Sequence, residues 1–124
     1  MKIILVVEDS RLMLEMLSTI LRAKGFDVVQ ANNGHDALKI IDGRHVDMVI
    51  TDLIMPGMDG IELTRVIRSR GEYKTIPILM ATTQSNEKLK KIGKAAGVTA
   101  WLAKPFRPGN LTALVINIIC PKQS

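Results

Sequence analysis

Two periods of apolar residue trade places along the chain, and the exchange happens five times. Ile3 to Val7 is apolar at every position, which marks a strand covered on both faces, as in a parallel sheet. A helical period follows: Leu12, Met13, Met16, Leu17, Ile20 and Leu21 fall on one face, with Ser10 placed as N-cap and Gly25 as C-terminal stop. Phe26 to Val29 reads as a second strand, Asn32, Asn33 and Gly34 as a turn, and Ala37, Leu38, Ile40 and Ile41 as the apolar side of a short second helix. Val46 to Thr51 is the third strand. Asp59, with Glu62 three residues later, makes a capping-box pair opening a third helix, whose Ile61, Leu63, Val66 and Ile67 supply apolar contacts and which ends near Gly71. Ile76 to Ala81 is the fourth strand and Asn86 to Ala96 the fourth helix. Thr99 to Ala103 is the fifth strand, and Leu111 to Ile119 a fifth helix beyond the break at Pro108 and Gly109.

Parallel neighbours need crossover connections, and crossovers are right-handed, so this alternation predicts a doubly wound α/β sandwich occupying residues 1–124 as a single domain. Ligands in such sheets sit beyond the carboxyl ends of the strands. Glu8 and Asp9 end the first strand, Asp52 the third, Thr82 and Thr83 the fourth, and Lys104 the fifth. The candidate chemistry therefore shares one edge.

Charge and composition narrow the classes. The net charge of +5 invites a nucleic-acid partner, but only four aromatic residues are present and no basic run is interleaved with them, which argues against one. The aliphatic run Ile3 to Val7 is far short of the roughly 20 residues of a membrane span and lacks a signal-peptide cleavage site. Cys120 has no partner for a disulfide and reads as a buried or half-buried spectator; His35 and His45 stand apart, without metal-site spacing. A cytoplasmic monomer is expected.

Taken singly, each residue of the edge has a structural reading as a cap, a turn or a solvated side chain. Together they point to chemistry. Three carboxylates at one edge repel one another unless a cation neutralises them, and an oxygen-only donor set suits Mg²⁺. With Mg²⁺ and Lys104 opposite, Asp52 could attack a phosphoryl group as a carboxylate nucleophile, and the Thr82 hydroxyl could donate to the product.

The stretches "VVEDS", "VITDLIMPGMDG", "ILMATT" and "AKPF", in this order and at these intervals, resemble the receiver domain of two-component response regulators across essentially the whole chain. The resemblance implies a flavodoxin-like (βα)5 fold with strand order 2-1-3-4-5, the order that general accounts of this fold give for CheY. It implies Asp52 as phosphoacceptor, and Glu8, Asp9, Asp52 and the backbone carbonyl of Ile54 as the Mg²⁺ site. Thr82 would be the switch hydroxyl, Lys104 the phosphoryl contact and Trp101 the switch aromatic. Ile54 and Gln84, two residues after the acceptor and the switch hydroxyl, would tune dephosphorylation. The family has a cis peptide at the position of Lys104-Pro105, whereas sequence alone favours trans. "GKAAGVTAWLAKPF" is similar to the single-domain chemotaxis subgroup of the CheY type. That likeness implies a histidine kinase as donor, a flagellar motor switch protein as output partner, a phosphatase as a further partner, and a partner surface on the fourth helix, fifth strand and fifth helix that includes Lys90, Lys91, Lys94 and Trp101. The protein would not be an enzyme for another substrate, only a phosphoacceptor that assists its own phosphorylation and dephosphorylation.

Two departures stand out: Glu8 occupies a place where Asp is commoner, and Ile54 one where some chemotaxis regulators carry a polar residue. A phosphatase of the haloacid-dehalogenase type would need a second Asp at Ile54. A flavodoxin-like electron carrier would need a hydroxyl- and glycine-rich loop where "VVEDSRLM" stands. A phosphorelay intermediate, or a stand-alone receiver with a non-motor partner, remains open.

Overall fold

The computed structural model describes residues 1–120. Its elements are β1 (Ile3–Val7), α1 (Arg11–Ala23), β2 (Asp27–Ala31), α2 (Gly34–Gly43), β3 (Met48–Thr51), α3 (Gly60–Ser69), a 3-10 turn (Gly71–Tyr73), β4 (Ile78–Thr82), α4 (Glu87–Ala96), β5 (Ala100–Ala103) and α5 (Pro108–Ile119). The strands pair in parallel in the order β2-β1-β3-β4-β5. This is the strand order the resemblance implied.

The period of two along each strand builds two cores. Ile4 and Val6 of β1 pack with Leu14, Leu17 and Leu21 of α1 and Leu111 and Val115 of α5. Leu5 and Val7 point the other way, to Ala37 and Ile41 of α2 and Leu63 and Ile67 of α3. Every residue of β3 and β4 is buried, so both faces of the central strands are covered. Each fully buried Leu or Ile stabilises the fold by about 1.5–3 kcal/mol relative to exposure.

Side chains cap the helices. Ser10, the expected cap of α1, accepts from the Met13 N–H at 3.3 Å; Asn86, expected as the first residue of α4, is instead its N-cap and accepts from the Leu89 N–H at 2.8 Å. Asp59 and Glu62 bond each other's backbone N–H groups at 2.8 and 3.3 Å, completing the capping box.

Several expectations need correction. The face of α1 is rotated: it buries Leu14, Leu17, Ser18 and Leu21, while Leu12 is 82% exposed and Met16 42%. Apolar residues cover a broad arc of the helix, away from Arg11, Glu15, Thr19 and Arg22, and the core takes only one margin of that arc, so period alone did not choose the face. Ser18 disguised it further, because its hydroxyl is satisfied inside, donating to the Leu14 carbonyl at 2.7 Å and accepting from Gln30 at 2.8 Å. Strand β2 begins one residue after Phe26, since Asp27 pairs with Ile3, and it runs to Ala31. Gly34 belongs to α2 behind the N-cap Asn33. Pro108 and Gly109 open α5 instead of breaking the chain before it, because the first turn of a helix needs no N–H from proline. The Lys104-Pro105 peptide is cis, as the resemblance implied and sequence alone did not. Cys120 is exposed, contrary to expectation, because it lies just past the last turn of α5. Among the described residues no helix is long and apolar enough to cross a membrane.

Candidate functional site

Parallel register carries the strand ends to a common edge. Val7 lies opposite Thr51, so Glu8 and Asp52 each leave the sheet by one residue side by side, and the Asp52 N–H still donates to the Val7 carbonyl at 3.1 Å. Across the sheet Thr82 lies opposite Ala103, and the Lys104 N–H donates to the Thr82 carbonyl at 2.9 Å. The ladder thus aims Lys104 back at the acids.

Its ammonium is held between two of them. Lys104 Nζ donates to Glu8 Oε2 at 2.8 Å and to Asp52 Oδ2 at 3.2 Å. The other Asp52 oxygen, Oδ1, accepts from the Leu53 N–H at 2.6 Å and more distantly from that of Ile54 at 3.4 Å. Glu8, Asp9 and Asp52 each offer an oxygen within 4.8 Å of the others. Glu8 is buried, with 3% of its side chain exposed, whereas 14% of Asp52 is open to solvent and Asp9 is exposed. An incoming donor therefore meets Asp52 and Asp9 first.

Three carboxylates against one ammonium leave the cluster with a formal excess of two negative charges. Burial pushes the Glu8 carboxyl above the usual glutamate range, the Lys104 hydrogen bond and charge pull it back, and the neighbouring Asp52 charge adds to the rise. A divalent cation among these oxygens would remove the repulsion, and an all-oxygen set suits Mg²⁺. The donor set fits.

One positioning residue escaped the sequence reading. A Cβ at Gly60 would strike the Asp52 carbonyl oxygen and approach Met80 Sδ to 2.9 Å, and the Gly60 N–H donates to the Leu53 carbonyl at 2.8 Å. Glycine lets α3 start directly against the backbone that follows β3 at Asp52 and Leu53. Following the cap Asp59, it looked like ordinary loop punctuation.

The remaining residues form a second group. Thr82 is fully buried, and its hydroxyl accepts from the Gln84 N–H at 3.2 Å; among the described residues it has no hydrogen bond to the acids or to Lys104. Trp101 is half-buried against Leu53, Ile61 and Met80, and its indole N–H donates to the Gln84 carbonyl at 3.1 Å. Leu102 packs on the opposite face, as strand alternation requires. Gln84 is exposed, and Ile54 is 59% exposed on the loop after Asp52. Lys90 and Lys94 line an open groove of about 290 Å³ with Trp101, while Lys91 lies exposed on the same helix.

Comparison with known proteins agrees with this geometry. Residues 4–116 match the response regulator receiver domain, and the chain belongs to that family. It is 37% identical to the DNA-binding response regulator MtrA of Mycobacterium tuberculosis over 90% of this chain and 48% of MtrA. The chain spans about half the length of the curated relatives it matches, or less. Among solved structures, the chemotaxis protein CheY4 of Vibrio cholerae superposes with a TM-score of 0.92 at 37% identity, over 95% of this chain and 98% of that one. The response regulator protein TrrA of Thermotoga maritima, in complex with Mg(2+)-BeF, superposes with a TM-score of 0.85 at 31% identity, over 95% and 99%.

Proposed function

We propose that residues 1–124 act as one receiver domain in which Asp52 accepts a phosphoryl group from the phosphohistidine of a histidine kinase. The observation that carries this is the Lys104 ammonium held between Glu8 and Asp52, with Asp9 beside them. An Asp52 oxygen forms the new O–P bond while the histidine N–P bond breaks, and the imidazole leaves with its electron pair. Lys104 then exchanges a carboxylate partner for a phosphoryl oxygen, which accounts for its deep burial beside a partly exposed acceptor. Glu8, Asp9, Asp52 and the Ile54 carbonyl would hold Mg²⁺, which when bound offsets charge on the transferring oxygens.

The Thr82 hydroxyl is the switch: it turns to donate to a phosphoryl oxygen and draws away from its present donor, the Gln84 N–H. That movement shifts the β4–α4 loop and the Trp101 side chain, and so reshapes the surface of α4, β5 and α5. Ile54 offers no group to orient water, so together with Gln84 it sets the lifetime of the acyl phosphate. The output is chemotaxis through a flagellar motor switch protein, a reading supported by the near-complete overlap with CheY4. A phosphatase acting at the exposed Asp52 side would complete the cycle. A non-motor output is the second reading, favoured by the resemblance to MtrA, a DNA-binding response regulator of which this chain spans 48%.

Incubation with acetyl phosphate and Mg²⁺ tests the acceptor. A single hydroxylamine-sensitive phosphoryl adduct is expected on the native protein and none on Asp52→Asn, whose amide is a poor nucleophile. Undiminished labelling of that variant would overturn the assignment.

A further inference from the structure

Gly93 lies in the middle of α4, is buried, and has ordinary helical backbone; the left-handed glycines among the described residues are Gly25, Gly57 and Gly97. Nothing in its conformation calls for glycine, and in a helix interior alanine is otherwise favoured. The reason is a neighbour. A Cβ placed on Gly93 would lie 2.7 Å from Trp101 Cζ3 and 3.5 Å from Trp101 Cε3 and Val98 Cγ2. The edge of the indole occupies the space a side chain would take, and the opposite end of the ring is tied to the Gln84 carbonyl.

We propose that Gly93 is a positioning residue for the switch: its missing side chain is a slot in α4 that admits tryptophan at position 101 in the Gln84-bonded position. Because Gln84 donates to the Thr82 hydroxyl, the slot acts on the hydroxyl through one residue. Any Cβ at Gly93 moves the ring toward the open groove lined by Lys90 and Lys94, and the indole loses its loop contact. The slot thereby selects which aromatic this receiver can use, and it couples the surface of α4 to the state of Thr82. Its role in signalling rests on the receiver reading above; the slot itself does not.

Trp101 is the sole tryptophan, so emission reports it alone. In the full chain without phosphodonor, Gly93→Ala is expected to shift emission to the red and raise acrylamide quenching, with Gly93→Ser moving both in the same direction. Unchanged emission and quenching in both variants overturn the slot. A thermal cycle separates it from a general packing effect. With Trp101 present Gly93→Ala lowers Tm; in a Trp101→Ala background the same substitution raises Tm, since helix propensity is then unopposed. A rise of Tm in both backgrounds contradicts the proposal. Should Gly93→Ala alone not fold, folding of the Trp101→Ala double variant supports the slot, and its failure contradicts it. Failure of acetyl phosphate to label native Asp52 would remove the receiver reading and leave the emission result standing.

Discussion

Helices α1 and α4 each follow a strand that ends at the carboxyl edge of the sheet, yet they are held very differently. Helix α1 inserts Leu14, Leu17, Ser18 and Leu21 into the core, all essentially inaccessible to water. In α4 the one fully buried residue is Gly93, which has no side chain to bury. The sheet carries a related contrast: the central strands β3 and β4 are buried throughout, whereas the edge strand β5 is intermediate to exposed along its length. Asp52 therefore leaves the rigid centre of the sheet, and Trp101 sits in its loosely packed margin. Chemistry that needs fixed distances and a surface that must move call for different packing, and this chain separates them by strand order.

Truncating one anchor on each side measures the separation. Leu17→Ala is expected to cost about 2–5 kcal/mol in urea unfolding, as for a fully buried leucine. Leu89→Ala on α4, only half-buried, should cost less than about 1.5 kcal/mol. Equal losses would break the comparison. Gly60→Ala, whose Cβ meets backbone that cannot yield, should cost about 1–3 kcal/mol and slow labelling of Asp52. A stable, normally labelled variant would show that α3 can retreat from the acceptor.

At the other end of β1, Asp47 sharpens the rigid side of the contrast. Its carboxylate accepts from the Ile3 N–H at 2.8 Å and pairs with His45 at 2.8 Å. Burial pushes this carboxyl up, but the Ile3 hydrogen bond and His45 outweigh it and leave it below the usual aspartate value of 3.8. A depressed folded-state value contributes stability that is present above 3.8 and lost as pH falls through the folded value. Asp47→Asn should therefore cost about 1 kcal/mol at neutral pH. The gap between variant and native should close on acidification below about 3.8; a gap independent of pH would dismiss the carboxylate's charge as the cause. Smallest of all should be Lys91→Glu on exposed α4, silent in stability and weakening an acidic partner chiefly at low salt. Equal binding to a histidine kinase at low salt would return this lysine to a solvated face.

Much of the rigid half was legible in sequence, and for one reason: Ile3 to Val7 and the run through Ile78 to Ala81 are apolar at every position and read as strands, and the polar residues that end the strands inherited a common edge. Where the apolar arc was broader than the buried face, as in α1, the face could not be read, because tertiary packing took one margin of the arc and satisfied Ser18 internally. Gly60 and Gly93 were illegible for a different reason. Their importance lies in atoms of other segments, Asp52 and Trp101, that only folding brings near. The Lys104 clamp between Glu8 and Asp52 likewise spans 96 and 52 residues of sequence, so spacing alone could suggest the shared edge but not the distances.

If the rigid half drives the loose one, the connection runs from Asp52 through the Thr82 hydroxyl to Gln84 and Trp101, and tryptophan emission on adding beryllofluoride with Mg²⁺ reads it directly. The native protein should change its emission, and Thr82→Ala should lose most of that change while still accepting phosphate from acetyl phosphate at Asp52. A Thr82→Ala protein that responds like the native one would contradict the switch and leave the indole reporting something other than this hydroxyl.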